Sequence, residues 1–267
     1  MLINHVLLHV KRNDVEDAKG SVIITHGIAE HSGRYDDITK ELNKAGYDVV
    51  RYDLRGHGQS QGKRGALKSM NEPIEDLHAL VMEEKKRKPK KIFLLGHSLG
   101  GLIVDLYGVS YRDVDGIISS AAPSYFIKDV LPLRILGFRW LGWIKKKTDF
   151  ADDRLSRIKE VEEDYLNDPL NLKAFHLSTV GHLMVKGVRY LNRNIGSFRT
   201  PILILHGEDD SIVPASFSER LYERIPIEDK ELVIYPGGYH EIFNDLDRKK
   251  AYADTIAWLD RHAGEQS

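Results

Sequence analysis

The sequence predicts an α/β protein with a mostly parallel central sheet flanked by helices, and three observations predict it. Short apolar runs rich in Val, Ile and Leu recur at residues 21–25, 47–52, 91–95, 116–119, 201–205 and 231–235. They are continuous rather than alternating, as strands buried on both faces of a parallel sheet are. Helical patterns lie between several of them, and repeated strand, helix, strand is the arrangement that builds a parallel sheet.

Each element has its own reason. Residues 4–11 alternate at Val6, Leu8 and Val10, like a half-buried antiparallel strand. Residues 35–45 repeat apolar side chains at Ile38, Leu42 and Ala45, one face of a helix. Residues 73–88 open with Pro73 near a first turn and close in a basic cluster, which complements the dipole at a helix C-terminus. The basic run 85–91 is thus expected to be a helix end and a solvated turn rather than a nucleic-acid patch. Residues 249–262 carry Tyr252, Ile256 and Leu259 at helical spacing. The rhythm breaks from 123 to 199, where no run reads as a buried strand, and resumes at Pro201. The expected organisation is a core over 1–122, an inserted helical cap or lid over 123–199, and the rest of the core over 200–267.

Composition narrows the function. The chain has 267 residues, 42% of them hydrophobic and 30% charged, enough for one large core. Lys and Arg number 39 against 40 Asp and Glu, a formal net charge of -1, so no global field draws nucleic acid and none is expected as a partner. There is no cysteine, which excludes disulfide frameworks, thiolate metal sites and Cys nucleophiles. Residues 1–11 lack the charged start and apolar run of a signal peptide, and no apolar stretch approaches the ~20 residues of a membrane span. A cytoplasmic location is expected. Abundant charge and scarce Gln also fit a heat-adapted protein.

The chemistry begins at Gly96-His97-Ser98-Leu99-Gly100, followed by Gly101. This G-x-S-x-G run follows the apolar Ile92-Phe93-Leu94-Leu95 and precedes the helical Leu102–Tyr107 stretch. A serine on a strand-to-helix turn is exposed at the strand end, with helix N-terminal amides beside it. Glycines are needed because the turn leaves no room for a Cβ. A serine needs a general base, and the base an orienting acid, in the chain order Ser, Asp or Glu, His. Residues 203–205 form a strand leading to His206-Gly207-Glu208-Asp209-Asp210, and residues 233–235 one leading to Gly237-Gly238-Tyr239-His240. Both loops leave strand C-termini, the same sheet edge as Ser98. His240 is the expected base; His206 and His262 fit less well. Either Asp209 or Asp210 could be the acid. The oxyanion donors are expected from the amide of Leu99 and, after the strand ending Thr25-His26-Gly27, the amide of Ile28.

With these residues assembled, the chain resembles the monoacylglycerol lipase and lysophospholipase-like family of the α/β-hydrolase superfamily. The resemblance rests on His26-Gly27-Ile28-Ala29-Glu30-His31-Ser32-Gly33-Arg34-Tyr35, on Asp53–Gly62, and on the G-H-S-L-G-G elbow. It covers the first half and last third of the chain well and 123–199 poorly. It implies the α/β-hydrolase fold. It implies Asp210 as the acid, three residues after Gly207. It implies that Glu30 and Arg34 organise the glycerol end of the pocket. Phe243 stands where some members carry a second histidine near the glycerol. The resemblance reads 123–199 as the cap over the site.

The sequence supports that cap on its own terms. Leu131, Leu133, Ile135, Leu136, Phe138, Trp140, Leu141, Trp143 and Ile144 crowd into one helix-like stretch, interrupted by Arg134 and Arg139 and closed by Lys145-Lys146-Lys147. It is too apolar around its circumference for an ordinary surface helix. Trp140 and Trp143 are expected at the substrate or at a membrane or micelle surface. The expected activity is cleavage of a small lipid ester, a monoacylglycerol, through an acyl-enzyme, with no metal or organic cofactor. The alternatives are a broad carboxylesterase or lysophospholipase, or a non-catalytic ligand-binding scaffold on the same fold.

Overall fold

The computed structural model describes residues 1–127, 130–138 and 140–264. Its main sheet has seven strands: β1 (Val10–Asn13), β2 (Gly20–Thr25), β3 (Tyr47–Tyr52), β4 (Ile92–His97), β5 (Gly116–Ser120), β6 (Ile202–Gly207) and β7 (Lys230–Tyr235). Their order across the sheet is β7-β6-β5-β4-β2-β3-β1. All neighbours run parallel except β1, which pairs antiparallel with β3 at one edge. This is the predicted mostly parallel sheet.

The continuous apolar runs are explained by two cores. Successive side chains of a strand point to opposite faces. Val22, Ile24, Leu95, Ile118, Leu203 and Leu205 face one core with Tyr35, which ends the short turn Ser32–Tyr35, and with Leu42 and Trp258 from the helices at Asp36–Lys44 and Arg248–Gly264. Ile23, Val50, Leu94, Ile117 and Ile204 face the other, with Leu77, Leu80 and Ile103 from the helices Asn71–Arg87 and Leu99–Ser110. A strand apolar on both faces needs helices on both faces, and has them.

The strand order reverses at β2 and β4. The chain leaves β2 toward one edge through β3, then returns across to β4. Such a switch point opens a crevice at the strand C-termini, where ligands of open α/β sheets bind. Ser98 follows β4 there, and His26 to Glu30 follow β2.

Two expectations are corrected. Residues 4–11 are not one strand. Asn4 and His5 have φ of 45° and 64°, making a turn that folds Leu2–Ile3 against Val6–Leu7, and only Val10–Asn13 joins the main sheet. The stretch 131–144 is not one helix either. The helix Leu131–Leu136 stops at Gly137, whose φ of 77° ends it. The chain then enters a two-stranded ribbon of Lys145–Lys147 and Ala174–His176. Arg139 of that stretch lies outside the described residues. The basic run after residue 84 is a helix end and a turn, with Arg87 on Asp14 at 2.8 Å and Lys88 on Asp48 at 2.5 Å. Among the described residues no helix is long and apolar enough to cross a membrane.

Candidate active site

Ser98 sits at the end of β4 with φ 53° and ψ -118°, a conformation that costs an L-residue about 1–3 kcal/mol. Its surroundings hold it there. Its amide donates to Ser120 O at 2.8 Å, and its carbonyl accepts from Leu102 at 3.0 Å, the first turn of the following helix. The neighbouring glycines are obligatory. A Cβ on Gly96 would meet Gly100 O at 2.2 Å, and one on Gly100 would meet Thr25 O at 2.1 Å. This packing drives the helix N-terminus, with the Leu99 amide at its start, against the end of β2.

The acid and base reach Ser98 from the two next loops. Ser98 Oγ donates to His240 Nε2 at 2.9 Å, and His240 Nδ1 donates to Asp210 Oδ2 at 2.7 Å. All three residues are buried. Of the two aspartates of that loop, Asp209 is exposed and Asp210 faces the histidine. Asp210 accepts four hydrogen bonds. Its Oδ1 takes the amides of Ile212 and Val213 at 2.8 and 2.9 Å, and its Oδ2 takes His240 and, at 3.0 Å, His206 Nε2. Burial alone would raise its pKa, but His240 and His206 hold the carboxyl well below the usual range. His240 is shifted the other way. Burial disfavours its cation, yet Asp210 carries it above its ordinary value, helped by Glu241 and Glu30.

His206 and Glu241 are residues that sequence reasoning missed. His206 Nε2 also reaches Val213 O at 2.9 Å while Nδ1 meets Ser218 Oγ at 2.7 Å, so the ring bridges the strand end to the loop that carries Asp210. The only sequence signal was its spacing of four from Asp210. Glu241, adjacent to His240, is bound to Arg34 Nη2 at 2.5 Å and to Asn244 Nδ2 at 2.9 Å. Arg34 Nε lies 3.2 Å from Glu30 Oε2. One buried guanidinium therefore joins the loop after β2 to the loop after β7.

The loop after β2 is held from within. His26 Nε2 accepts the Leu54 amide at 2.9 Å, which leaves Nδ1 to donate to Gly27 O at 2.7 Å. Burial brings the His26 pKa down to about 4, so the ring keeps this neutral form. The Gly27–Ile28 peptide is planar and trans. Fixing Gly27 O on one side turns the Ile28 amide to the other. Glu30 Oε1 accepts from the Gly27 amide and from Tyr35 Oη, the latter at 2.7 Å. Asp53 ties this loop to the Asp53–Gly62 turn by accepting Ser32 N and Gln59 N, each at 2.8 Å.

These loops form the polar end of a cavity of about 540 Å³. Ile28, Glu30, Ser98, His240 and Glu241 line that end, and Phe126, Val130, Leu133, Phe150, Phe175 and Val180 line much of the rest. The apolar wall comes from residues between β5 and β6. That segment is stitched to the site by Leu172 N on Ala29 O at 2.9 Å, His31 Nε2 on Asp168 at 2.7 Å and Glu241 N on Leu155 O at 2.8 Å. The remaining sequence-expected binding residues lie elsewhere. Arg34 stands behind Glu30 and Glu241. Phe243 is 3% exposed and stacks on Tyr252 in the second core, because its short helical turn, Ile242–Asn244, directs it inward. Trp140 and Trp143 do not line this cavity and are 82% and 73% exposed.

A buried serine, histidine and aspartate in hydrogen-bonded series, beside a helix N-terminus, can carry out nucleophilic acyl transfer. The family described as serine aminopeptidase, S33 (Hydrolase_4) matches residues 16–247. The chain belongs to this family. As such it is a serine hydrolase of the α/β-hydrolase fold, and the resemblance expected from the loop motifs is found in its relatives. It is 32% identical over 251 residues to a monoacylglycerol lipase of Mycolicibacterium smegmatis, across 92% of this chain and 90% of that one. It is 26% identical to the phospholipase YtpA of Bacillus subtilis, across 90% of this chain and 95% of that one. Among solved structures, the monoacylglycerol lipase of Paleococcus ferrophilus superposes with a TM-score of 0.87 at 29% identity, covering 96% of this chain and 99% of that one. The family description names a peptidase and these relatives are lipases, so the cavity around Ser98 decides between an amide and an ester as the scissile bond.

Proposed function

We propose that this protein hydrolyses monoacylglycerols to a fatty acid and glycerol through an acyl-enzyme on Ser98. The observation that carries the reading is the Ser98–His240–Asp210 series opening into a cavity with an apolar wall and a carboxylate-lined polar end. An aminopeptidase would hold a free amine there as well. The apolar wall suits an acyl chain better than a polar peptide, and the relatives named above favour the same bond.

In this account His240 takes the proton of Ser98 as Oγ attacks the ester carbonyl. Asp210, fixed by four hydrogen bonds, keeps the imidazole oriented and stabilises its cation. The amides of Ile28 and Leu99 bind the oxyanion, each worth roughly 3 kcal/mol in comparable sites. His240 returns the proton to the leaving glycerol oxygen, and water repeats the sequence on the acyl-enzyme. Glu30 and Glu241 accept from the glycerol hydroxyls, and Arg34 positions both carboxylates. Residues 123–199 act as the cap that shapes the acyl end. The exposed Ile135, Trp140 and Trp143, with Lys145 and Lys147 beside them, make the transient contact with a lipid surface.

The test is the rate on monoacylglycerols of increasing chain length, beside matched p-nitrophenyl esters, diacylglycerol, a lysophospholipid and an aminoacyl amide. The account predicts that kcat/KM rises from short to medium or long monoacylglycerols and that diacylglycerol is rejected. Turnover only of short activated esters makes the protein a general esterase, and preference for the aminoacyl amide makes it a peptidase.

A further inference from the structure

A second cavity, of about 850 Å³, shares Leu133 of the helix Leu131–Leu136 with the first. Its volume falls in the range of ligand sites. Its lining combines two chemical kinds of side chain. Leu67, Leu133, Phe138, Trp143 and Val185 are apolar. Lys63, Lys68, Arg189, Lys186, Arg134 and Arg55 are cationic, and among the described residues Glu72 is the one acid in the lining.

Several of these groups are already engaged. Glu72 accepts from Arg55 Nη1 at 2.8 Å and from the Lys68 amide at 2.7 Å. Arg55 is held by Asp76 at 2.7 Å as well. Lys186 lies 5.1 Å from the Phe138 ring centroid and Arg134 3.8 Å from that of Phe126. Lys63, Lys68 and Arg189 are exposed and have no acidic partner within ion-pair distance among the described residues. In a chain of net charge -1 this is a local excess. His182 lies in the same lining with Nδ1 buried and without a hydrogen-bond partner. Exposed lysines on a convex surface are simply solvated; three uncompensated cations beside an apolar concavity form an amphipathic receptacle.

We propose that this cavity is a second lipid site, which binds a long-chain carboxylate. The alkyl chain lies along Leu133, Phe138 and Trp143, and the carboxylate sits among Lys63, Lys68 and Arg189. An inorganic anion leaves the apolar side chains unused, and a neutral glyceride leaves the cations unused. The binding is non-covalent and independent of Ser98. The ligand belongs to the class of acid that ester hydrolysis at Ser98 would release, and Leu133 lines both cavities.

The test titrates myristate below its critical micelle concentration into the full chain, followed by calorimetry and by tryptophan emission. Combining Lys63→Gln, Lys68→Gln and Arg189→Gln weakens binding about tenfold or more. The rate of that variant on a soluble p-nitrophenyl ester stays at the wild-type level, which verifies its fold. Tetradecanol in place of myristate binds as weakly as myristate does to the variant. Trp143→Phe removes the emission change and keeps the calorimetric signal. Unchanged affinity in the triple variant, or equal affinity for tetradecanol, overturns the proposal. So does the opposite pattern, in which free myristate fails to bind while the same cations bring the protein down with phosphatidylglycerol vesicles: the patch is then a membrane contact. Failure of the Ser98 reading appears as absent ester turnover and alters none of the binding results; the fold of the variant is then read from its thermal midpoint.

Discussion

The loops at the sheet edge and the segment between β5 and β6 are built by opposite means. At the edge, polar and charged groups are buried and bound: Asp210 accepts four hydrogen bonds, Arg34 joins two carboxylates, and His26 is held at both ring nitrogens. In the segment, large apolar groups stand in water, with Ile135, Trp140 and Trp143 each at least 73% exposed. The edge fixes atoms to within a hydrogen bond, as chemistry requires. The segment supplies a wall and a surface, where shape and area matter more than exact placement. Changes at the edge should therefore alter the reaction itself, and changes in the segment should alter which substrates reach it.

The largest test of that division is Asp210→Asn. It removes the charge that orients and stabilises His240, and kcat should fall by about 10⁴-fold with KM little changed. The pH profile carries the sign. The folded pKa of His240 lies above its ordinary 6.5, and only the neutral ring can act as base. Activity is thus lost as pH falls through that raised value, and the acid limb of kcat/KM has its midpoint above pH 6.5. In Asp210→Asn the limb should move down. An unmoved limb would mean that another group sets it.

The next effect concerns the oxyanion loop. His26→Ala frees the Gly27 carbonyl and with it the direction of the Ile28 amide. A loss of roughly 10- to 100-fold in kcat at unchanged KM is expected, short of the 10²–10³ for deleting a donor outright. Equal changes in kcat and KM would mark a general loosening of the site.

The smallest effect should come from the segment. Trp140→Asp with Trp143→Asp should lower the rate on micellar substrate several-fold and leave a short soluble ester within about twofold. Equal losses on both would remove the surface role and erase the contrast between the regions.

The same contrast explains what could be read from the sequence. The sheet was legible because a strand apolar on both faces leaves a continuous run; G-x-S-x-G and the acidic and histidine loops at strand ends are local patterns too, while Asp210 rather than Asp209 came from the resemblance. His206, Glu241 and the neutral His26 were not legible, since their roles depend on contacts between loops far apart in the chain. Arg34 meets Glu241 across 207 positions. The edge was misread because Val6, Leu8 and Val10 keep a strand's alternation across the break at Leu8 and His9, where the chain passes from the small hairpin to the main sheet. The break at Gly137 was hidden by apolar residues on both sides of it.

The proposed reaction stands or falls with Ser98 forming the covalent intermediate. The most direct measurement is intact and peptide mass spectrometry after treatment with an alkyl fluorophosphonate, alongside turnover by Ser98→Ala. The account predicts one adduct per chain on the peptide containing Ser98, its formation suppressed by long-chain monoacylglycerol, and loss of turnover by roughly 10⁴-fold or more in the variant. An adduct on another residue, or substantial hydrolysis by Ser98→Ala, would contradict it.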